Sequence, residues 1–366
     1  MEVLARRFHL LAPELRHELL SDQTKVEASK QKKGGFDGFT HVFWATDDYR
    51  RLGADYDFHA PILDRQVYTE HGSVLQPRCE KQRAAQDARV RDRGEVFSPA
   101  WLCNQQNNLI DGRWFGRPHV FNVEQSVGEN SHGWIATVDP ISFPEGKTWR
   151  DYVQDLRLEV ACGEAPYLVS RYDVSSGLSI DVPQRIGFLD RKLRVVGENT
   201  STPEDWFAAT CEAYKSVYGY EWQGDNLLLA RLNLFFTLFE YYHFKFGEDA
   251  PPLSLEQQLT IANIISWNLW QMDGLKGVIP DSCKGSEPIG LDLFGEVSKN
   301  TSGCRGCQTG NIREHNGMYC KIKDWHYVPK RRKAKSDSSV TETGVAQDPW
   351  QRGTEKVIRF IDMIGQ

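Results

Sequence analysis

The stretch 218–233, YGYEWQGDNLLLARLN, constrains the fold of this chain more than any other. Its first residues favour a short strand that ends at Glu221, and a Gly-Asp turn then leads into a long apolar segment typical of a helix. In α/β folds an acid at the carboxyl end of a strand can hold the hydroxyls of a ribose, because ligands bind in the crevice at the strand ends. The stretch therefore predicts an α/β fold with a ligand site beside Glu221. A strand-end acid that only meets solvent is the alternative.

Two further stretches extend this pattern. Residues 156–161 predict a buried strand, and the small residues Cys162 and Gly163 follow it, which would let a ligand approach the backbone closely. A later apolar segment ends in Asp273-Gly-Leu and supplies a second strand-end acid. The turn after residue 161 lacks the G-x-G-x-x-G pattern, so no phosphate-binding loop is expected. A tight turn without a ligand is the alternative there.

Length and charge limit the classes of function. The chain has 366 residues, which favours about two domains. Its net charge of -6 gives no overall signal for nucleic-acid binding. No run of about 20 apolar residues predicts a membrane span. The first residues lack the apolar run of a signal peptide, so the sequence predicts a cytoplasmic protein.

Contacts with DNA would therefore have to come from local basic patches. Within residues 77–93 a helix would place several arginines along one side, and two further patches follow later in the chain. We expect phosphate contacts from these patches, with a solvated surface as the alternative. The candidate residues are Arg83, Arg89, Arg91, Arg191, Lys192, Lys330, Arg331 and Arg332.

Four of the eight cysteines cluster near the end of the chain. Cys304-Arg-Gly-Cys307 has the spacing of a knuckle whose two thiolates share one tetrahedral zinc ion. His315 and Cys320 would complete the four ligands, with Cys283 as an alternative ligand. The sequence therefore predicts a structural zinc site, and reduced thiols without a metal are the alternative.

Four motifs together resemble the adenine-specific DNA methyltransferases, the modification subunits of restriction-modification systems. The motifs are Gly94-Glu-Val-Phe-Ser-Pro, Glu159-Val-Ala-Cys-Gly, Tyr218-Gly-Tyr-Glu and Met272-Asp-Gly-Leu. Their order and spacing match that family over about half of the chain. The resemblance implies a Rossmann-like sheet, S-adenosylmethionine as cofactor, double-stranded DNA as substrate, and partner subunits of a restriction or phage-defence system.

The resemblance also implies roles for individual residues. Phe97 and Pro99 would lie in a loop that covers the cofactor, and Glu221 would bind its ribose hydroxyls. Asp273 would accept a hydrogen bond from the adenine amino group of the cofactor. The full implied set is Phe97, Pro99, Glu159, Ala161, Cys162, Gly163, Glu221, Asp273 and Leu275.

Two departures from the family leave the activity open. Ala165 and Pro166 stand where the family has a second glycine. The catalytic element of the family, Asn or Asp followed by Pro-Pro and an aromatic residue, does not occur, and Asp348-Pro-Trp350 lacks one proline. One hypothesis is an adenine methyltransferase subunit whose catalytic element is unconventional or comes from a partner. The other is an inactive methyltransferase-like subunit that binds cofactor or DNA as a scaffold or sensor.

The sequence pattern and the resemblance together predict four parts of the chain. Residues 1–93 form a helical accessory region and residues 94–282 a methyltransferase-like core. Residues 283–328 form a cysteine-rich zinc knuckle, and residues 329–366 form a basic loop with a C-terminal strand.

Overall fold

The computed structural model describes residues 4–31, 38–69, 72–93, 95–128, 131–285, 303–327, 350 and 354–363. These residues form a mixed α/β structure, which confirms the predicted class at that level. The helices are α1 (Leu4–His9), α2 (Pro13–Leu20), α3 (Gln23–Gln31), α4 (Asp64–Val67), α5 (Arg83–Arg93), α6 (Ala100–Phe115), α7 (Trp149–Gln154), α8 (Phe188–Asn199), α9 (Pro203–Lys215), α10 (Gly224–Phe246), α11 (Leu255–Asn268) and α12 (Arg305–Thr309). The strands are β1 (Tyr68–Thr69), β2 (Gly72–Ser73), β3 (Asn122–Gly128), β4 (Ser131–Ala136), β5 (Arg157–Glu159), β6 (Val217–Glu221), β7 (Leu269–Gln271), β8 (Lys321–Tyr327) and β9 (Thr354–Arg359).

The sheet that positions the site consists of three parallel strands in the order β5-β6-β7. Parallel strands need crossover connections, and here pairs of helices supply them: α8 and α9 between β5 and β6, and α10 and α11 between β6 and β7. The carboxyl ends of all three strands therefore lie at one edge. In the described part of the chain the other sheets are two-stranded and antiparallel.

Helix α10 runs from the end of β6 through the centre of the molecule. It begins at Gly224, where a Cβ would lie only 2.0 Å from the carbonyl oxygen of Phe43, so a side chain cannot fit. It ends before Gly247, whose positive φ of 86° suits glycine. Its residues are buried on every face over most of its length, which agrees with the long apolar segment that the sequence shows there.

Arg231 in the middle of α10 joins three parts of the fold. Its guanidinium is fully buried and donates to the carbonyl oxygens of Leu19, Ser21, Ser266 and Leu269. These carbonyls belong to the ends of α2 and α11 and to the start of β7. One side chain thus satisfies backbone acceptors that those ends would otherwise leave buried without partners.

The N-terminal region contains the helices α1, α2 and α3. It packs directly on the core: α2 contacts α11, and the N–H of Gly224 donates to the carbonyl oxygen of Trp44 at 3.0 Å. The late strand predicted near residue 357 is β9, which pairs with β8. None of the helices in the described ranges is both long and apolar enough to cross a bilayer.

Candidate functional site

A cavity of about 770 Å³ opens at the carboxyl ends of β5, β6 and β7. We call it the strand-end cavity. Its walls are the three strand ends, the turn after β5 (residues 160–166, the β5 turn) and residues 95–98 (the cover loop). Eight of the nine predicted cofactor residues line it: Phe97, Glu159, Ala161, Cys162, Gly163, Glu221, Asp273 and Leu275. Pro99 does not, because it lies just beyond the cover loop as the residue before α6.

The β5 turn has an unusual backbone. Ala161, Gly163 and Ala165 all have positive φ values, of 49°, 53° and 63°. Residues other than glycine adopt this region at a cost, and such strain concentrates at functional sites. Ala165 thus takes a left-handed conformation that glycine adopts more readily.

Gly163 is required by the close approach of the cover loop. A Cβ on Gly163 would lie 2.7 Å from Cε1 of Phe97. Arg78 fixes the cover loop by donating to the carbonyl oxygen of Glu95 at 2.6 Å, and its guanidinium lies over the Phe97 ring. The ring of Phe97 therefore covers the β5 turn at the point where glycine leaves room for it.

Glu221 ties the end of β6 to the β5 turn. Its carboxylate accepts from the N–H of Gly163 at 2.8 Å and from the N–H of Gln223 at 3.1 Å. Burial raises the pKa of Glu221 to about 7, against the effect of these two hydrogen bonds. The two oxygens retain lone pairs for further donors, because a carboxylate offers about four acceptor positions.

Glu159 at the end of β5 has a similar environment. It accepts from the N–H groups of Tyr167 and Leu168 at 3.3 and 3.2 Å. Burial raises its pKa to about 8. Glu159 and Glu221 are thus two buried acids on adjacent strand ends, and the pKa of each lies close to neutral pH.

Asp273 lies just beyond the end of β7. Its Oδ1 accepts from the N–H groups of Leu275 and Lys276, and its Oδ2 pairs with the ammonium of Lys276 at 3.1 Å. The Leu275 side chain is 90% exposed and stands at the rim of the cavity.

Asn226, in the first turn of α10, was not among the predicted residues. It lines the strand-end cavity and is buried, and its amide nitrogen donates to Glu95 at 3.1 Å. Its Oδ1 has no hydrogen-bond partner within the described ranges. A buried acceptor without a donor calls for an explanation, and a ligand donor is one. Its place one turn after the strand-end acid is a sequence signal that could have identified it.

Arg89, predicted to contact nucleic acid, is instead buried, and that prediction is wrong. Its guanidinium pairs with Asp225 at 2.6 Å, Asp48 at 2.6 Å and Glu95 at 3.0 Å. Although burial alone would raise it, Arg89 and Lys81 hold the pKa of Asp225 below its usual range. Arg89 also donates to the side chain of Gln223, a cavity wall residue, so it supports the strand-end cavity from behind.

Arg191 and Lys192 are buried within α8, so a DNA contact is wrong for them too. Arg191 pairs with Asp111 at 2.6 Å. The Lys192 ammonium donates to the carbonyl oxygens of Val153 and Asp155 and to the Ser216 hydroxyl, and burial lowers its pKa. Arg83 and Arg91 are exposed on α5, so their role in DNA binding stays a prediction. Lys330, Arg331 and Arg332 lie outside the described residues.

The predicted metal site is present as a cluster of Cys283, Cys304, Cys307 and His315, the Cys/His cluster. Their ligand atoms all lie within 4.8 Å of one another. The three sulfurs are 3.6, 3.5 and 3.6 Å from Nδ1 of His315. A sulfur at about 2.3 Å and a nitrogen at about 2.0 Å from one tetrahedral zinc ion would be about 3.5 Å apart, so the donor set fits a metal ion.

Local geometry favours the thiolate form of Cys304. The N–H of Asn316 donates to Sγ of Cys304 at 3.3 Å, and this contact helps to lower the pKa of Cys304 to about 6 in spite of burial. At Gly306 a Cβ would lie 2.6 Å from the backbone nitrogen of His315, which explains the glycine inside the Cys-x-x-Cys spacing.

Cys320 is not a member of the cluster, which corrects the predicted ligand set. It is buried against β7, where its thiol donates to the carbonyl oxygen of Gln271 at 3.3 Å. Cys283, the alternative ligand, takes the fourth position.

No protein-family model, curated protein or solved structure matches this chain.

Proposed function

We propose that the strand-end cavity binds S-adenosylmethionine and that the chain is a DNA adenine methyltransferase subunit of a restriction-modification or phage-defence system. The observation that carries the proposal is the convergence of eight of the nine residues that the resemblance implies, from four separate stretches of sequence, on one cavity.

The charge of the cavity supports this cofactor over a nucleotide. Four acids line it (Glu95, Glu159, Glu221 and Asp273), and neither lysine nor arginine occurs among the described lining residues. Phosphate groups would find no cation among these residues, whereas the sulfonium and ammonium groups of S-adenosylmethionine are cationic and can pair with those acids that are ionised. The same argument disfavours an enzyme that binds NAD or ATP in this cavity.

The hydrogen-bonding groups also match. Glu221 retains acceptor positions for ribose hydroxyls, and Oδ1 of Asn226 offers another acceptor nearby. The β5 turn would lie against the methionine part, and Phe97 would cover it. When bound, the cofactor supplies an electrophilic methyl group, and the residues of this chain bind it, orient it and exclude water.

Methyl transfer to adenine would also need groups that hold the flipped base. The sequence has no Asn/Asp-Pro-Pro-aromatic element, so this element is unconventional or comes from a partner subunit. That absence is the specific reason to keep a second candidate: a cofactor-binding scaffold or sensor that performs no chemistry.

We further propose that the Cys/His cluster holds zinc in a structural role. Three thiolates and one imidazole leave no open position on a tetrahedral ion, which is typical of structural rather than catalytic zinc. Exposed Arg83 and Arg91 on α5 stay the candidates for contact with the DNA backbone.

The test uses S-adenosylmethionine with a radiolabelled methyl group. Binding to the full chain is measured by equilibrium dialysis, and transfer by counting label on unmethylated DNA. We expect Glu221→Gln to weaken binding by roughly tenfold or more, because a charge-assisted acceptor is lost. Glu248→Gln, at an exposed position beyond the end of α10, is the matched control.

The outcomes separate the hypotheses. Binding with transfer supports the enzyme, and binding without transfer, even with neighbouring gene products added, supports the scaffold. Absence of binding to the wild-type chain would contradict both.

A further inference from the structure

A second cavity of about 470 Å³ lies at the far end of α10. We call it the distal cavity. Asn226 of the strand-end cavity and Tyr241 of the distal cavity are separated by 15 residues of one helix, or roughly 20–25 Å at about 1.5 Å per residue. The proposed cofactor cannot reach both, so the distal cavity is a separate feature. Its volume is within the usual range of small-molecule sites.

The walls of the distal cavity include four aromatic side chains beside aliphatic, polar and charged ones. Phe121, Trp206 and Tyr241 are buried around it, and Phe244 is 60% exposed at its mouth. Such walls favour a planar ligand, because flat rings stack on aromatic faces.

Two buried polar groups in the distal cavity have unused hydrogen-bonding atoms. Asp190 accepts through Oδ2 from Ser170 and Gly187, and the Tyr241 hydroxyl lies close to its carboxylate. Its Oδ1 has no partner of hydrogen-bond geometry within the described part of the chain. The Arg185 side chain is 7% exposed and donates to Glu240 and Ile180, whereas its Nη1 has no partner there. Buried groups left unpaired are costly, so each requires a complementary atom.

The two groups define the ligand by complementarity. Asp190 requires a donor and Arg185 requires an acceptor. The opposite charges of Asp190 and Arg185 disfavour a ligand that carries a single charge of either sign at this point. The other cations on the wall already have partners: Arg191 pairs with Asp111, Arg194 pairs with Glu198, and Lys245 donates to the carbonyl oxygen of Gly197. A neutral planar heterocycle with a donor and an acceptor on one edge satisfies both, and this is the pattern on the edge of a nucleobase.

We propose that the distal cavity is a binding site for a nucleoside, whose base lies between the aromatic walls and pairs with Asp190 and Arg185. This site goes beyond the proposed methyltransferase function and does not depend on it.

The experiment is calorimetric titration of the full chain with adenosine, guanosine and cytidine, each up to about 1 mM. We expect at least one nucleoside to bind. Asp190→Asn should weaken that nucleoside by roughly tenfold or more, because the amide can keep an oxygen toward Ser170 and Gly187 but then presents a donor to the cavity. Phe244→Ala should also weaken binding of that nucleoside. Because Phe244 is largely exposed, this substitution should leave the fold intact.

Glu221→Gln separates the two sites, because it alters the strand-end cavity and leaves the distal cavity intact. Nucleoside binding that survives Glu221→Gln and is reduced by Phe244→Ala supports the distal site, whether or not S-adenosylmethionine binds. The proposal is overturned if no nucleoside binds, or if binding is lost with Glu221→Gln but not with Phe244→Ala.

Discussion

The strand-end cavity and the Cys/His cluster are built in opposite ways. The cavity stands on the main hydrophobic core, with β6, β7 and α10 buried beneath it. The cluster stands on a small separate core of Val278, Cys283 and Cys304, against which Tyr319 packs. A large core fixes a site before any ligand arrives, whereas a small one depends on its ion.

The two regions share the segment from Asp273 to Cys283. The N–H of Asp273 donates to the carbonyl oxygen of Val278, and Val278 in turn bridges to Tyr319 beside the cluster. Among the residues of the cavity wall, Asp273 is therefore the one whose position depends most directly on the structure of the cluster.

Removal of the proposed zinc ion should have the largest effect on protease resistance. This effect should appear in the region of the Cys/His cluster and not in the core around α10. We expect chelation, or Cys307→Ser, to make residues 303–320 sensitive to protease, because structural zinc can contribute on the order of 10 kcal/mol to a small module. Limited proteolysis followed by mass spectrometry measures this change.

The matched control for metal removal is Cys79→Ser, a free thiol outside the cluster. The core around α10 should stay resistant in both cases. Equal protection of residues 303–320 with and without metal would show that the cluster does not depend on its ion.

The second largest effect should come from Arg89→Ala. This change leaves Asp225 and Glu95 buried without their main cation, and breaking a buried pair in this way costs about 3–5 kcal/mol. Urea denaturation measures the free energy of unfolding. Arg83→Ala, on the exposed side of the same helix, should change it by less than about 0.5 kcal/mol.

Comparable losses for the Arg89 and Arg83 variants would contradict a pre-built cavity wall. A result near zero for both would point to a wall that forms only with ligand.

Cofactor binding in the strand-end cavity should depend on pH. Glu221 must be ionised to accept two ribose hydroxyls, and its pKa is raised to about 7. Affinity for S-adenosylmethionine should therefore rise about tenfold between pH 6 and pH 8. Isothermal titration at several pH values checks this, and Glu221→Gln should abolish the rise.

The free energy of unfolding should fall as the pH rises, whereas the affinity for the cofactor rises. The folded-state pKa of Glu159 is raised to about 8 from an ordinary value of 4.5. Its contribution is most favourable below about pH 4.5 and is lost as the pH rises through 8. The free energy of unfolding of Glu159→Gln, relative to wild type, should thus increase from pH 5 to pH 8. A difference that is constant across this range would contradict the raised pKa.

The smallest effect concerns the β5 turn. Ala165→Gly should change stability by less than about 0.5 kcal/mol, because relief of the left-handed backbone offsets the lost methyl group and the added chain entropy. Ala209→Gly, equally buried but inside α9, should cost about 1–2 kcal/mol. Thermal or urea unfolding distinguishes the two, and equal costs would mean that Ala165 is not strained.

Sequence reasoning succeeded where the signal was local. The strand ends and the glycine of the β5 turn depend on neighbouring residues, so the sequence pattern could predict them. It failed for Arg89, whose partner Asp225 is 136 residues away, and for Arg191, whose partner Asp111 is 80 residues away. A basic run looks the same whether it faces solvent or buried acids.

The residues of the Cys/His cluster show the same limit at closer range. Cys-x-x-Cys identified two of them, but spacing does not reveal which of Cys283 and Cys320 lies near His315. Only the tertiary structure shows which cysteine lies there, because it places Cys320 against β7.

The bonds of Arg231 set an order of events during synthesis. Its partners include Leu19, 212 residues earlier in the chain, and Leu269, which leaves the ribosome after it. At about 5–20 residues per second, α2 must wait roughly 10–40 s for its acceptor carbonyls to meet that guanidinium. The nascent N-terminal helices are then a natural target for holding chaperones, and we expect ribosome-arrested chains that stop before residue 269 to leave α2 open to protease.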